Sequence, residues 1–151
     1  MEQRLSLSLA PKDLYMKASI RFILIDDNPV NNLLCSIVIE QAAGKADIIS
    51  FELPETGLAY IASEYARGEQ PTILLLDINM PTWSGWEFLD HFDKLDEKIQ
   101  KQFSVYILSS SIDPADQQRS VNNKFVLRSL EKPLTEAIVS EIIELASIKN
   151  R

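Results

Sequence analysis

The chain has 151 residues, 46% hydrophobic and 25% charged, enough for one domain with a proper core and too few for two comfortable ones. Its 22 acidic residues outweigh 15 basic ones, for a formal net charge of −7, and an acidic surface repels phosphate backbones, which counts against direct contact with DNA or RNA. No apolar stretch approaches the roughly 20 residues of a membrane helix, no charged segment followed by an apolar one marks a secretory signal, and the single cysteine, Cys35, excludes an internal disulfide or a cysteine metal cluster; a cytoplasmic location is expected.

Residues 1–19 stand apart. Leu5, Leu7 and Leu9 alternate with Ser6 and Ser8 until Pro11 breaks the pattern, which fits a short edge strand or a loosely constrained extension. Met16-Lys17 looks like a natural start, so residues 1–19 are expected to be an N-terminal extension or leader and residues 20–151 the domain.

From Ile20 the pattern becomes regular. Apolar runs at Ile20–Ile25, Ile48–Phe51, Ile73–Leu76, Val105–Leu108 and Phe125–Leu127 read as five strands. Most are apolar at successive positions, the mark of parallel strands covered on both faces. Helical spacing separates them. Val30, Leu33, Leu34 and Ile37 form the predicted core stripe of the first helix, and Leu58, Ile61, Ala62 and Tyr65 that of the second. Phe88, Leu89, Phe92 and Leu95 serve for a third; Leu134, Ile138, Ile142 and Leu145 mark the last. Asn28 before Pro29, and Asp113 before Pro114, are helix starts. The fourth helix, about Pro114 to Val121, has little besides Ala115 and Val121 to bury, and is expected to be the least firmly packed element. This alternation of strand and helix, with right-handed crossovers, gives a doubly wound parallel sheet, whose ligands bind beyond the carboxyl ends of the strands.

Polar residues gather at those ends. Asp26-Asp27 follow the first strand, Asp77 the third, Ser109 the fourth and Lys132-Pro133 the fifth. Two adjacent carboxylates repel unless a cation compensates, and Mg²⁺ favours oxygen ligands; alternatively they only help Asn28 cap the next helix. Asp77 is a candidate nucleophile, since a carboxylate can attack an activated phosphoryl group. The Met80-Pro81 and Gly85 that follow make it more than a turn residue: Pro81 fixes the turn, and Gly85 permits a backbone conformation that other residues resist. Lys132 can reach back as a point charge or stand exposed in solvent. Ser109, first of three consecutive serines, can hydrogen-bond a phosphoryl oxygen or merely form a turn, with the register open by one residue to Ser110.

Taken together, these positions resemble the receiver domain of two-component response regulators, of the stand-alone CheY-like type, over about residues 20–149. The resemblance implies a flavodoxin-like (βα)5 fold with strand order 2-1-3-4-5. It implies Asp77 as phosphoacceptor, with Ser109 and Lys132 as the other catalytic positions. Asp26, Asp27, Asp77 and the main-chain carbonyl of Asn79 would ligate Mg²⁺, with Mn²⁺ as a substitute, and Met80, Pro81, Gly85 and Pro133 would support the turn and pocket. The implied partners are a sensor histidine kinase or histidine phosphotransfer domain and a downstream protein target, without nucleic acid or membrane, for a monomer or weak dimer. The chain ends at Arg151, leaving no room for an output domain, so signalling is expected to run through protein contacts. Such a domain is a signalling receiver rather than an enzyme in the usual sense, though it catalyses its own phosphorylation and dephosphorylation. In two places the chain departs from the family. Ser129 stands where many receivers carry an aromatic three residues before the lysine, and the switch hydroxyl is Ser rather than Thr.

The alternative is a module of the same fold that works without phosphorylation; the intact acidic pair, Asp77 and Lys132 argue against it. A flavodoxin needs a phosphate-welcoming loop after the first strand, and Asp26-Asp27-Asn28 repels a phosphate. An aspartate phosphatase of the haloacid dehalogenase type wants a second Asp at position 79, which is Asn. Without a GxxxxGK[ST] loop, a nucleotide hydrolase is excluded as well. Trp83 is expected near the pocket, Trp86 packed at a helix start, His91 on a polar helix face and Cys35 as a small buried hydrophobe.

Overall fold

A computed structural model describes residues 20–111 and 113–149, and the leader expected at residues 1–19 lies outside them. The described residues form β1 (Arg21–Ile25), α1 (Pro29–Ala43), β2 (Asp47–Phe51), α2 (Pro54–Glu64), β3 (Thr72–Asp77), α3 (Gly85–Phe92), α4 (Glu97–Gln100), β4 (Phe103–Ser109), α5 (Pro114–Asn122), β5 (Val126–Glu131) and α6 (Glu136–Lys149). All five strands are parallel, in the order β2-β1-β3-β4-β5, as expected. Ile23 pairs with Leu74, and Leu74 with Val105, so β1, β3 and β4 form the centre of the sheet.

The central strands are apolar at successive positions because both their faces are covered. One face, including Ile23, Ile25, Leu74, Leu76, Val105 and Ile107, packs against Ile61 and Tyr65 and against Phe88, Leu89 and Phe92 of α3. The other, including Phe22, Leu24, Ile73, Leu75, Tyr106 and Leu108, meets Ile39 of α1 and Val139 and Ile142 of α6. Each fully buried Leu, Ile or Phe contributes about 1.5–3 kcal/mol of transfer free energy, so the central strands are the rigid frame on which the strand-end residues stand.

Start signals act as predicted. Asn28 Oδ1 accepts from Val30 N at 2.9 Å, with Pro29 in the first turn of α1. Asp113 Oδ1 accepts from Asp116 N at 2.8 Å on α5, and Ser84 and Glu87, not singled out in the sequence, form a reciprocal capping box on α3.

The structure corrects the predicted core stripe of the first helix. Val30 (58% exposed), Leu33 (60%), Leu34 (53%) and Ile37 (43%) face solvent, while Asn32 and Ile39 are buried and Cys35, Val38 and Ala42 pack on the core. Helix α1 is apolar on two opposite sides, so its periodicity does not say which side the sheet covers.

Smaller differences have similar causes. In α6 the predicted Leu145 is exposed and Ala146 buried instead, while Leu134 is buried just before the helix begins. Helix α3 stops at Phe92, leaving Leu95 to pack from the turn that follows. The stretch Asp93–Lys101, rich in both signs of charge, contains a separate short helix capped by Asp96 and anchored by buried Ile99. Strand β5 extends beyond the predicted Phe125–Leu127 because an edge strand tolerates Arg128, Ser129 and Glu131. The fourth predicted helix, here α5, exposes both Ala115 and Val121 and buries Ser120.

Candidate functional site

Strand ends build the site. Asp26 follows β1 and is buried, its Oδ1 accepting from Asn28 N at 2.9 Å. Asn32 on α1 donates its Nδ2 to the Asp26 carbonyl at 3.0 Å, which explains the buried polar residue on that helix. Asp27 is exposed beside it. Asp77 closes β3, pairs with Leu108 of β4 and is buried. One carboxylate oxygen from each of Asp26, Asp27 and Asp77 falls within a 4.8 Å cluster.

Lys132 reaches in from the end of β5. Its Nζ lies 2.8 Å from Asp26 Oδ2 and 3.3 Å from Asp77 Oδ1, with little of the side chain exposed. Its backbone N–H donates to the Ser109 carbonyl at 2.8 Å, which fixes where the side chain starts. The peptide before Pro133 is cis, and Pro133 itself is exposed.

The site's charges do not balance. Burial, and next the charge of Asp26, push the Asp77 carboxyl above the usual carboxylate value, although Lys132 pulls the other way. Burial alone would lower the Lys132 ammonium; hydrogen bonding to Asp26 and attraction to Asp77 outweigh it and hold Lys132 above the usual lysine value. Three carboxylates thus share one ammonium. The donor set is all oxygen, which fits a hard divalent cation.

The turn after Asp77 is tight. Gly85 N donates to the Ile78 carbonyl at 2.8 Å. A Cβ on Gly85 would meet the Asp77 carbonyl oxygen at 2.7 Å and Ile78 Cα at 3.1 Å. Close approach, not a left-handed backbone, is therefore the reason for glycine: among the described residues Gly44 is the positive-φ glycine. Ile78 and Met80 are buried and pin the loop, while Asn79 and Pro81 between and after them are exposed. Thr82, marked by no motif, donates to Glu55 Oε1 at 2.8 Å and ties this loop to α2.

Ser109 is buried and Ser110 exposed, which puts Ser109 at the end of β4. Its hydroxyl donates to the Ser111 carbonyl at 3.0 Å and accepts from Ser111 N at 3.3 Å. Ser129 donates its hydroxyl to Ser120 on α5 at 2.7 Å. Trp83 is half-buried and stacks on His91 at 4.0 Å between ring centroids, while Trp86 is buried at the start of α3. Cys35 is half-buried, and its thiol is pushed up to about 11, chiefly by burial.

A family model, response regulator receiver domain, matches residues 22–144. A two-component response regulator from Cytophaga hutchinsonii is 30% identical; the match covers 89% of this chain and 99% of that one, with a TM-score of 0.78. A response regulator receiver protein from Dyadobacter fermentans is 22% identical over 84% of this chain and 97% of that one, with a TM-score of 0.76. A phosphorylated cyanobacterial phytochrome response regulator is 23% identical over 82% and 88%, at a TM-score of 0.63. The last two show the shared fold alone. None of the curated protein sequences matches the chain. With the family model spanning most of the chain and the parallel sheet in its expected order, this protein belongs to the response regulator receiver domain family.

Proposed function

We propose that the chain is a phosphoacceptor receiver in a histidine-to-aspartate phosphorelay, taking a phosphoryl group on Asp77. The observation that carries this reading is the buried carboxylate of Asp77, 3.3 Å from Lys132 Nζ and clustered with the carboxylates of Asp26 and Asp27. Receiver domains bind Mg²⁺ in such an acidic pocket. Here Asp26, Asp27 and Asp77 would hold it with the Asn79 carbonyl, and when bound it neutralises charge on phosphoryl oxygens.

The chain's own residues do the rest. An Asp77 carboxylate oxygen attacks phosphorus, an O–P bond forms, and the P–N bond of a phosphohistidine breaks, its electron pair leaving with the imidazole. Lys132 holds a positive charge beside the attacked position and stabilises the negative charge on the phosphoryl oxygens during the transfer. Ser109, already at a strand end, donates its hydroxyl to a phosphoryl oxygen. Hydrolysis of the acyl phosphate returns Asp77. The donor is a histidine kinase or histidine phosphotransfer domain, and output runs through protein contacts. The exposed apolar stripe of α1 begins three residues after Asp27, which suits a protein donor more than a small molecule.

No helix among the described residues is long and apolar enough to cross a membrane. The test is intact-mass spectrometry after incubation with acetyl phosphate and Mg²⁺. One phosphoryl adduct on the wild type, absent from Asp77→Asn, is expected. No adduct on the wild type, together with no binding of beryllium fluoride, would overturn the proposal in favour of a phosphorylation-independent interaction module.

A further inference from the structure

Helix α5 has almost no apolar anchor. Ala115 and Val121 are exposed, and the positions turned inward are Asp116 and Ser120, one helical turn apart. Each is held by a single side-chain hydrogen bond. Trp86 Nε1 donates to Asp116 Oδ1 at 3.1 Å, and Ser129 donates to Ser120 Oγ at 2.7 Å. The Arg119 guanidinium sits 5.1 Å from the Trp86 ring centroid. Where α3 is fastened by buried apolar area, α5 is fastened, among the described residues, by these two hydrogen bonds and the Arg119 contact.

We infer that Asp116 and Ser120 form a polar latch, tying α5 to Trp86 and Ser129, that opens when Asp77 is phosphorylated. The inference rests on the phosphoacceptor reading and specifies how that site is read. The Ser109 hydroxyl has one proton, now given to the Ser111 carbonyl. It cannot donate to a phosphoryl oxygen and keep that bond. Giving it up frees Ser111, two residues before Asp113, whose carboxylate caps α5. The disturbance therefore arrives at the first turn of a helix whose Ala115 and Val121 are both exposed. Each latch hydrogen bond biases a two-state equilibrium by only about fivefold, so phosphorylation has little to overcome. Ser129 has no ring to swing, and the latch supplies a readout that does not need one.

The test uses the full chain carrying Trp83→Phe, which leaves Trp86 as its only tryptophan. Acrylamide quenching of Trp86 is measured with Mg²⁺ alone and with Mg²⁺ plus beryllium fluoride, while fluorine NMR reports whether the mimic is bound. A bound mimic should raise the quenching constant about twofold. Asp116→Ala and Ser120→Ala should raise it without the mimic, and each should bind the mimic about fivefold more tightly, by reciprocity of coupling. Ser129→Ala removes the same bond from the sheet side and should reproduce Ser120→Ala, with thermal unfolding checking that all variants fold. A bound fluorine signal with unchanged quenching, or latch variants with unchanged affinity, overturns the latch alone. No fluorine signal at all overturns the phosphoacceptor reading, and the latch with it.

Discussion

Asp77 carries its charge against its surroundings. Its folded-state pKa is raised, so over the interval between the unfolded and folded values the folded protein binds more protons than the unfolded chain. Stability therefore falls as pH rises through that interval, and the whole penalty is present above it. Asp77→Asn removes it. In metal-free buffer at pH 7 the variant should melt higher by about 3 °C, and the gain should vanish on acidification below the ordinary carboxylate range; a melting point equal to or below wild type at pH 7 would contradict this sign. Lys132→Ala works in the opposite direction. It leaves Asp26, Asp27 and Asp77 with no ammonium among them, so the metal-free protein should melt several degrees lower. The same unrelieved repulsion should tighten Mg²⁺ binding, by about threefold, as read by titrating the tryptophan emission.

At the scale of elements, α1 shows where pattern stops short. Leu33 and Leu34 look like core in the sequence and are more than half exposed, whereas Ile39 has no exposed surface. Leu33→Glu and Leu34→Glu should each change unfolding free energy by about 0.5 kcal/mol or less. Ile39→Ala should cost about 2–5 kcal/mol. Urea denaturation of the three variants checks both, and a large cost at Leu33 would put the helix the other way round. Periodicity gives the existence of a helix and the phase of its apolar residues, but with apolar residues on both sides it leaves the buried side undetermined. Strands were more legible: β1, β3 and β4 are centrally placed and must be apolar at successive positions, whereas edge β5 admits Arg128, Ser129 and Glu131, and its extent was missed. The meeting of Asp26, Asp27, Asp77 and Lys132 was legible because a parallel sheet delivers every strand end to one rim. The fastening of α5 by Trp86 and Ser129 was not, because it pairs side chains whose separation only the folded geometry sets.

For the whole molecule, the acidic cluster links metal to stability. A ligand that binds only the folded state stabilises it by RT ln(1 + [L]/Kd), about 1.4 kcal/mol at tenfold over Kd. For a chain of this size that corresponds to a rise in Tm of about 2–5 °C. Mg²⁺ should produce it, and monovalent salt at matched ionic strength should not, because screening acts on exposed charges more than on the buried pair Asp26 and Asp77. Asp27→Asn, an exposed position whose side chain anchors no part of the core, should abolish most of the rise while leaving the metal-free melting point within about 1 °C. The rise should also depend on pH in a way that identifies the site. Cation and proton compete for Asp77, and its raised pKa means that competition starts at a higher pH than for an ordinary carboxylate. Differential scanning calorimetry with and without Mg²⁺ across pH 4–8 would then show the metal increment fading first on the acidic side. An increment constant across that range would place the cation elsewhere on a surface that has acid to spare.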